Sequence, residues 1–223
     1  SPLALASAGI GITRNATSLV FPLPISYQHK IRQIDGVASV SYANWFGGIY
    51  IDERNFFPNF AVQLDSYLPL YPEFRFDPGQ YKALLLNKRG CAIGEKLARR
   101  YGWKVGDVIP LKGTIFPGNY PLVVEAVFSG TRKNTDTNLL LFHWSHLNDR
   151  MEKLFPRRAN NTGVFVIGIS NPAQAAEIAR HIDAEFRNSL AETLTETEKA
   201  FQLSFVAMTE AIVVAIEAVA YVV

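Results

Sequence analysis

The sequence predicts an α+β fold in which a split ferredoxin-like layer, made of helices packed on an antiparallel sheet, is interrupted by an inserted small, mostly-β subdomain. Two observations predict it. A strand, a helix and a second strand can be recognised between residues 13 and 42, and a strand followed by a helix returns between residues 163 and 186. The long segment between them has short β runs and turn-rich links of its own. Both ends of the chain should therefore belong to one layer.

Local patterns predict the first half of this layer. Residues 13–21 are predicted as a strand that ends at the prolines which follow it. Tyr27, Ile31 and Ile34 are spaced i, i+4 and i+7, so they lie on one stripe of a helix. Residues 37–42 form the next predicted strand. Gly47 and Gly48 are expected to break or bulge this strand, residues 49–51 extend it, and a further strand is predicted at 57–64.

The second half repeats this order. Residues 163–170, GVFVIGIS, are predicted as a strand. Asn171 is suited to cap a helix and Pro172 to occupy its first turn. The helix that follows has one apolar stripe, which consists of Ala175, Ile178, Ala179, Ile182 and Phe186.

The predicted insertion covers residues 77–158. Its elements are a helix at 78–87, a strand at 90–93, a helix at 94–101 and strands at 105–111, 122–128 and 138–143. The resulting division assigns residues 13–76 and 159–195 to the ferredoxin-like subdomain, 77–158 to the inserted mostly-β subdomain, and 196–223 to a helix that leads into the first turns of a transmembrane segment.

The last 19 residues are strongly apolar. Residues 205–223 are interrupted only by Thr209, Glu210 and Glu217, and a membrane-spanning helix needs about 20 mostly apolar residues. The two glutamates share one helix stripe, which should face protein, water or the membrane interface. An amphipathic helix buried in the core or in an oligomer is the alternative. Residues 1–12 are also apolar. Three interpretations are open for them: the end of a preceding membrane helix, the remnant of a processed signal, and residues derived from a tag.

Composition excludes several classes of protein. The 223 residues are 48% hydrophobic, which is ample for a packed core. The net charge is only +2, and basic pairs at 88–89, 99–100 and 157–158 are scattered along the chain. A nucleic-acid binder needs a concentrated basic footprint, so no nucleic-acid partner is expected. Cys91 is the single cysteine, which excludes an intrachain disulfide.

No catalytic, cofactor-binding or metal-ligating residue is predicted, and the chain is not expected to be an enzyme. His146 and Asp149 stand at i and i+3, but a zinc site needs three or four ligands and no second cluster is nearby in sequence. A surface or capping histidine is the better interpretation. Cys91 lacks the G-x-S-x-G frame of a nucleophile elbow, so it is predicted to be a buried strand cysteine.

Aromatic residues around a glycine-rich, polar loop are the candidate contact site. The candidates for contact with a partner are Trp45, Phe56, Phe57 and Phe60. Exposed aromatic clusters often anchor partners, and Phe56 and Phe57 are expected to be exposed at a hairpin tip. In the alternative, most of these rings fill the space between the sheet and the helices.

Residues 91–111, CAIGEKLARRYGWKVGDVIPL, resemble the central signature of the periplasmic domains of MacB-type (FtsX-like) ABC transporter permeases. In this signature a strand ending in glycine leads to a short helix, a glycine cap and a turn into another strand. Gly94 is expected to free the strand-to-helix corner and Gly102 to take the left-handed cap. Residues 34–41 resemble the family's helix-end motif, with Asp35 replacing the usual proline. Thr195 and Glu198 form a predicted capping box before the apolar helix.

The resemblance spans residues 32–223 and implies a porter-type layer with a sabre-type insertion, held outside the bacterial cytoplasmic (inner) membrane in the periplasm or extracellular space. The partners it implies are a cytoplasmic ABC ATPase, a second permease copy in a dimer, a periplasmic adaptor protein, and the membrane through flanking helices. The chain has no G-x-x-x-x-G-K-[ST], so ATP hydrolysis would come from another polypeptide or segment. Such a domain couples ATP hydrolysis to substrate export or to work on a periplasmic partner. A soluble binding or adaptor domain without a transport role, and a hydrolase, remain the alternatives.

Overall fold

A computed structural model describes residues 9–208, in which one mixed eleven-stranded sheet is covered by helices on both faces. The strands are β1 (Ile10–Asn15), β2 (Leu23–Pro24), β3 (Val37–Trp45), β4 (Ile49–Tyr50), β5 (Asn59–Val62), β6 (Phe74–Arg75), β7 (Gly90–Gly94), β8 (Val108–Gly113), β9 (Gly118–Gly130), β10 (Leu140–His143), β11 (Asn161–Thr162), β12 (Val164–Ile169) and β13 (Thr193–Thr197). The helices are α1 (Tyr27–Ile31), α2 (Leu64–Tyr67), α3 (Pro78–Leu86), α4 (Glu95–Tyr101), α5 (Trp144–Leu154) and α6 (Ala175–Glu185). The strand order is β13-β1-β12-β3-β5-β10-β7-β9-β8-β4, with β6 attached to β9 and a separate β2-β11 pair.

Four antiparallel strands, in the order β13-β1-β12-β3, form the half of the sheet that holds both ends of the described chain. Side chains of β12 alternate between its two faces, as the period of a strand requires. Phe165 and Ile167 pack with Ile31 of α1 and Ile182 of α6 on one face. Val166 belongs to a different cluster on the other face. The second face therefore has to be covered by other elements.

Strand β5 carries the sheet from this layer into the insertion. It is antiparallel to β3 and parallel to β10, which in turn pairs with β7. Helices α4 and α5 cover one face of the insertion in a cluster that includes Leu97 and Phe142, and Leu84 of α3 packs near Phe128 on the other. Strands β4 and β6 precede residue 77 but pair with β8 and β9. The predicted domain boundaries stay a prediction.

Most predicted strands and helices are confirmed to within a few residues, but the first strand is shifted, and β2, β6, β11, β13, α2 and α5 were not predicted. Strand β1 begins at Ile10 and ends at Asn15, so the predicted strand at 13–21 starts late and extends too far. The Asn15 side chain accepts a hydrogen bond of 2.9 Å from the Thr17 N–H, and this turn ends the strand. Helix α5 has no counterpart among the predicted elements, although it buries one stripe of side chains.

The capping box predicted at Thr195 is wrong. Strand β13 continues through Thr197, and the Thr195 hydroxyl lies 2.8 Å from the Asp183 carboxylate, to which it donates a hydrogen bond. Residues 198–208 are helical and are called the C-terminal helix below. Thr197 accepts a hydrogen bond of 3.2 Å from the Ala200 N–H at the start of this helix, so Thr197 is the capping residue.

The two apolar runs that were predicted to be related to the membrane, 1–12 and 205–223, lie mainly outside the described residues. Residues 1–8 of the first run and 209–223 of the second are not described. Between residues 9 and 208, no helix is long and apolar enough to cross a membrane.

The two glycines of the 91–111 segment are required for different reasons. Gly102 ends α4 with φ +69°, so the predicted left-handed cap is confirmed. Gly94 has extended dihedrals of φ −73° and ψ 152°, which any residue can adopt. A Cβ at Gly94 would instead lie 2.1 Å from the Thr137 carbonyl oxygen. Close approach of the Thr137 backbone, and not freedom at a corner, is the reason for glycine here.

We expect Gly94→Ala to lower the free energy of unfolding by about 2–3 kcal/mol, because backbone must move to relieve the clash. Gly102→Ala is the matched comparison, since nothing lies within 4 Å of its Cβ position. It should cost only about 1 kcal/mol, from the left-handed φ. Urea unfolding of both variants measures the difference. Equal losses, or a larger loss for Gly102→Ala, would contradict the steric explanation.

Candidate functional site

A groove of about 720 Å³ runs along the second face of the sheet, beside the C-terminal helix. Small and branched side chains of β1, β3 and β12 form its floor. Its apolar walls consist of Trp45, Phe56, Phe60, Phe201, Phe205 and Val206. We call this the aromatic groove. Its volume falls in the range typical of ligand pockets, about 300–1,000 Å³.

Trp45, at the end of β3, is the centre of the aromatic wall. Its ring centroid lies 5.1 Å from that of Phe60 in an edge-on arrangement and 5.3 Å from that of Phe205. The ring of Phe56 is 6.0 Å away. These separations are those of favourable aromatic pairs. Phe205 therefore ties the far part of the C-terminal helix to the sheet.

Three of the four residues predicted as partner contacts lie together in the aromatic groove. Trp45 and Phe60 are half-buried, and Phe56 is 54% exposed. The expectation that Phe57 is exposed is wrong, because its side chain is 0% exposed. Its ring packs 5.9 Å from Tyr101 and 5.8 Å from Trp103, on the α4 side of the sheet. Contact between the other three rings and a partner stays a prediction.

Asn59 holds the loop that carries Phe56. Its Oδ1 accepts a hydrogen bond of 2.8 Å from the Gly48 N–H, and its Nδ2 donates bonds of 3.0 Å to the carbonyls of Gly48 and Phe57. Asn59 is fully buried, so these three bonds satisfy its amide without water. The loop is thereby closed onto the start of β5, and this closure positions the aromatic wall.

A polar junction lies where the C-terminal helix begins. The Tyr71 hydroxyl donates a hydrogen bond of 3.3 Å to Glu198 Oε2. Burial raises the pKa of Tyr71. Burial also raises the pKa of Glu198, and repulsion from Glu73 adds to this rise while the Tyr71 bond opposes it. A second groove of about 750 Å³ lies on the other side of the helix start and shares Tyr71, Glu73, Arg132 and Glu198 with the aromatic groove.

Sequence patterns missed this junction, since Tyr71 and Glu198 are 127 positions apart. Sequence analysis also did not single out the aromatic residues on the helix side of the groove, although their spacing is a signal that could have found them. Phe201 and Phe205 stand at i and i+4, a spacing that places both rings on one face of a helix.

The residues weighed from the sequence as possible catalytic or metal-binding groups, Cys91, His146 and Asp149, line neither groove. Cys91 is confirmed as a buried strand cysteine, and burial raises the pKa of its thiol. Burial and the nearby Arg150 lower the pKa of His146 to about 4, and Asp149 pairs with Lys88. Within residues 9–208, no three His, Cys, Asp or Glu side chains are placed to hold a metal ion.

Comparison with known proteins identifies the fold. No family model and no curated protein matches the sequence. The extracellular domain of the ABC-type transporter YknZ from Gram-positive bacteria is similar, with a TM-score of 0.57 and 12% identity over 85% of this chain and 100% of that domain. The periplasmic region of MacB from Actinobacillus actinomycetemcomitans gives a TM-score of 0.59 and 10% identity over 91% of this chain and 95% of that region. The chain therefore has the fold of extracytoplasmic domains of ABC transporter permeases, and the predicted resemblance is confirmed at that level.

Asn59→Ala should lower the free energy of unfolding by about 2–4 kcal/mol, because it removes three hydrogen bonds and leaves Gly48 groups buried and unpaired. Asn55→Ala, in the same loop but only partly buried, is the control and should cost less than about 1 kcal/mol. Chemical denaturation followed by tryptophan fluorescence measures both. An Asn59→Ala protein as stable as the control would show that this amide does not hold the loop.

Glu198→Gln should change how stability depends on pH. The pKa of Glu198 is raised in the folded protein above its ordinary value of 4.5, so its favourable contribution is present below that value and is lost as pH rises through the folded-state pKa. The neutral amide can still accept the Tyr71 bond. The variant should therefore match the wild type near about pH 4 and melt at a higher temperature at about pH 7.

Glu177→Gln, on the exposed side of α6, is the matched control and should show no such pH-dependent gain. A difference between Glu198→Gln and wild type that does not vary with pH would contradict the proposed coupling of Glu198 to its buried surroundings.

Proposed function

We propose that this chain is the extracytoplasmic domain of an ABC transporter permease subunit, which couples ATP hydrolysis in the cytoplasm to substrate export or to work on a partner outside the membrane. The shared fold supports the general kind of protein, because both similar structures are extracytoplasmic domains of such transporters. Since fold does not by itself imply function, the proposal depends on a further observation about how the chain passes through the domain.

That observation is the pairing of the first and last strands. β1 and β13 are antiparallel neighbours, with Gly11 opposite Thr197. The start of β1 and the end of β13 consequently lie at the same end of the sheet. A domain held between two membrane segments needs this geometry, because both segments must reach one bilayer. The apolar run 1–12 includes the start of β1, whereas the run 205–223 begins after the C-terminal helix has crossed the second face to Trp45.

The order β13-β1-β12-β3, together with α1 and α6 on one face, supports the interpretation of this half as a split, porter-type ferredoxin-like layer. Its four strands correspond to a β-α-β-β-α-β unit whose two halves are separated by the insertion. The proposed division keeps the boundaries 13–76, 77–158 and 159–195. Residues 196–223 form the proposed link toward the membrane.

The C-terminal helix is the proposed transmitter. It follows β13 directly and crosses the second face of the sheet, where Phe201 packs with Ile12 and Val166 and Phe205 packs with Trp45. None of residues 198–208 is fully buried. A shift of a membrane segment attached to this helix would therefore disturb few contacts while changing the width of the aromatic groove. A cytoplasmic ATPase, a second permease copy and a periplasmic adaptor complete the proposed assembly in the inner membrane.

Location tests the proposal against a soluble adaptor. Val105 follows α4 and is 47% exposed, so it is replaced by cysteine in the full-length gene product. The cells are made permeable outside the cytoplasmic membrane only and are then treated with a membrane-impermeant maleimide. We expect labelling before lysis, with the protein in the membrane fraction and an ABC ATPase recovered with it in detergent. The wild type, whose only cysteine in this chain is buried, is the control. Labelling only after lysis, or recovery in the soluble fraction, would contradict the proposal.

A further inference from the structure

The insertion carries an excess of positive charge that the net charge of the chain conceals. Residues 77–158 contain 14 of the 22 lysines and arginines but only 7 of the 20 aspartates and glutamates. The remaining residues contain 8 basic and 13 acidic side chains. The insertion is thus formally +7 and the rest of the chain −5. Such an asymmetry favours an acidic partner at the insertion.

Part of this charge surrounds exposed apolar side chains on one surface. The turn between β8 and β9 meets the end of α5 and the 3₁₀ helix Pro156–Arg158 there. Three large apolar side chains are left in contact with water, namely Ile115 at 51%, Leu154 at 55% and Phe155 at 39% exposure. We call the surface formed by Ile115, Phe116, Leu154, Phe155, Arg157 and Arg158 the basic aromatic patch.

Arg158 joins the two segments of the patch. Its Nη2 donates a hydrogen bond of 2.6 Å to the Ile115 carbonyl. Its guanidinium carbon also lies 5.2 Å from the ring centroid of Phe116 and 5.9 Å from that of Phe155, within the range of cation–π attraction. The patch is therefore a preorganised surface, and its rings and apolar chains are held beside a fixed cation.

Two neighbouring cations remain unneutralised within the described part of the chain. Arg157 and Lys153 are exposed, and neither side chain has an ion pair or hydrogen bond among residues 9–208. The nearest acidic side chains in sequence are Glu152, which accepts a hydrogen bond from Asn148, and Asp149, which pairs with Lys88. Arginine and aromatic residues are also the types that dominate binding energy at protein interfaces.

We infer that the basic aromatic patch docks an acidic protein segment that carries apolar side chains. The inference rests on the proposed function, which places such a partner outside the membrane. Charge complementarity requires carboxylates, and the exposed Ile115, Leu154 and Phe155 require apolar groups that a purely ionic polymer lacks. The mixed surface therefore selects a peptide chain with both kinds of side chain.

The position of the patch along β3 bears on whether a lipid bilayer could cover the same surface. The Ile169 N–H donates to the Gly9 carbonyl near the first residue of β3, and the Thr114 hydroxyl donates to the Gly47 carbonyl just beyond its last. Nine strand residues, about 30 Å, therefore separate the patch from the end of the sheet at which β1 begins and β13 ends. The patch is therefore remote from the start of β1, whereas the apolar run 205–223 begins at Phe205, which contacts Trp45 at the patch end of β3. The vesicle probe in the test below decides between a peptide and a bilayer.

The test measures binding of the purified 223-residue chain to three probes: a random copolypeptide of glutamate and tyrosine, polyglutamate of equal length, and phosphatidylglycerol vesicles. We expect the copolypeptide to bind at least about tenfold more tightly than polyglutamate, with affinity falling as salt rises. Arg157→Glu should weaken copolypeptide binding about fivefold or more, and Phe155→Ser should remove its advantage over polyglutamate. Thermal melts confirm that the variants are folded.

Lys96→Glu, an equal change of charge on the exposed side of α4, is the matched control and should alter binding less than twofold, to within about 0.4 kcal/mol. If Lys96→Glu weakened copolypeptide binding as much as Arg157→Glu, the loss would be explained by overall charge, and the inference would be overturned. Equal affinity for the two polypeptides, or preference for the vesicles, would overturn it as well. Binding of the two polypeptides involves no membrane and no ATPase, so failure here leaves the location experiment unaffected, and failure of that experiment leaves these affinities unchanged.

Discussion

Pairing of the four-residue strand β5 along both of its edges is the constraint on which the rest of the structure depends. β5 is bonded to β3 on one side and to β10 on the other, and it joins the terminal layer to the insertion in one sheet. Asn59, Ala61 and Val62 are fully buried. A strand buried in this way cannot slip by one residue without turning every side chain to the opposite face. The orientation of the insertion, and with it the position of each surface described above, follows from that register.

The two surfaces have different chemistry because different parts of the fold form them. The aromatic groove exists because α1 and α6 occupy one face of the terminal layer, while the other face is covered, among the described residues, only by residues 67–74 and the C-terminal helix. The basic aromatic patch lies in the insertion, whose positive charge is opposite in sign to that of the layer. The compared domains share this fold at only 10–12% identity, so the fold alone does not determine which residues form these surfaces.

Features whose cause is local could be predicted from the sequence. Asn171 caps its helix by accepting a hydrogen bond from the Ala173 N–H, and Gly102 takes a left-handed φ, because both depend on residues a few positions away. Strand β13, with the sequence TLTET, has no apolar alternation to reveal it. Its strand geometry comes from pairing with β1 and from Asp183, which accepts a hydrogen bond of 3.0 Å from the Thr195 N–H. Two features that were not predicted also have a signal in the sequence. The buried side chains of helix α5 are spaced as one helical stripe, and the positive charge of residues 77–158 appears when charges are counted within that segment alone.

The sequence by itself determined the alternation of strands and helices, the glycine cap, the burial of Cys91 and the presence of an aromatic-rich loop, because spacing and residue type are sufficient for these. Tertiary structure decided which aromatic rings are available. Phe56 and Phe57 are adjacent and chemically identical, yet one lines the groove and the other lies in the core beside Trp103. Strand periodicity separates neighbouring side chains to opposite faces, but only the packing of α4 against the sheet determines which face is buried.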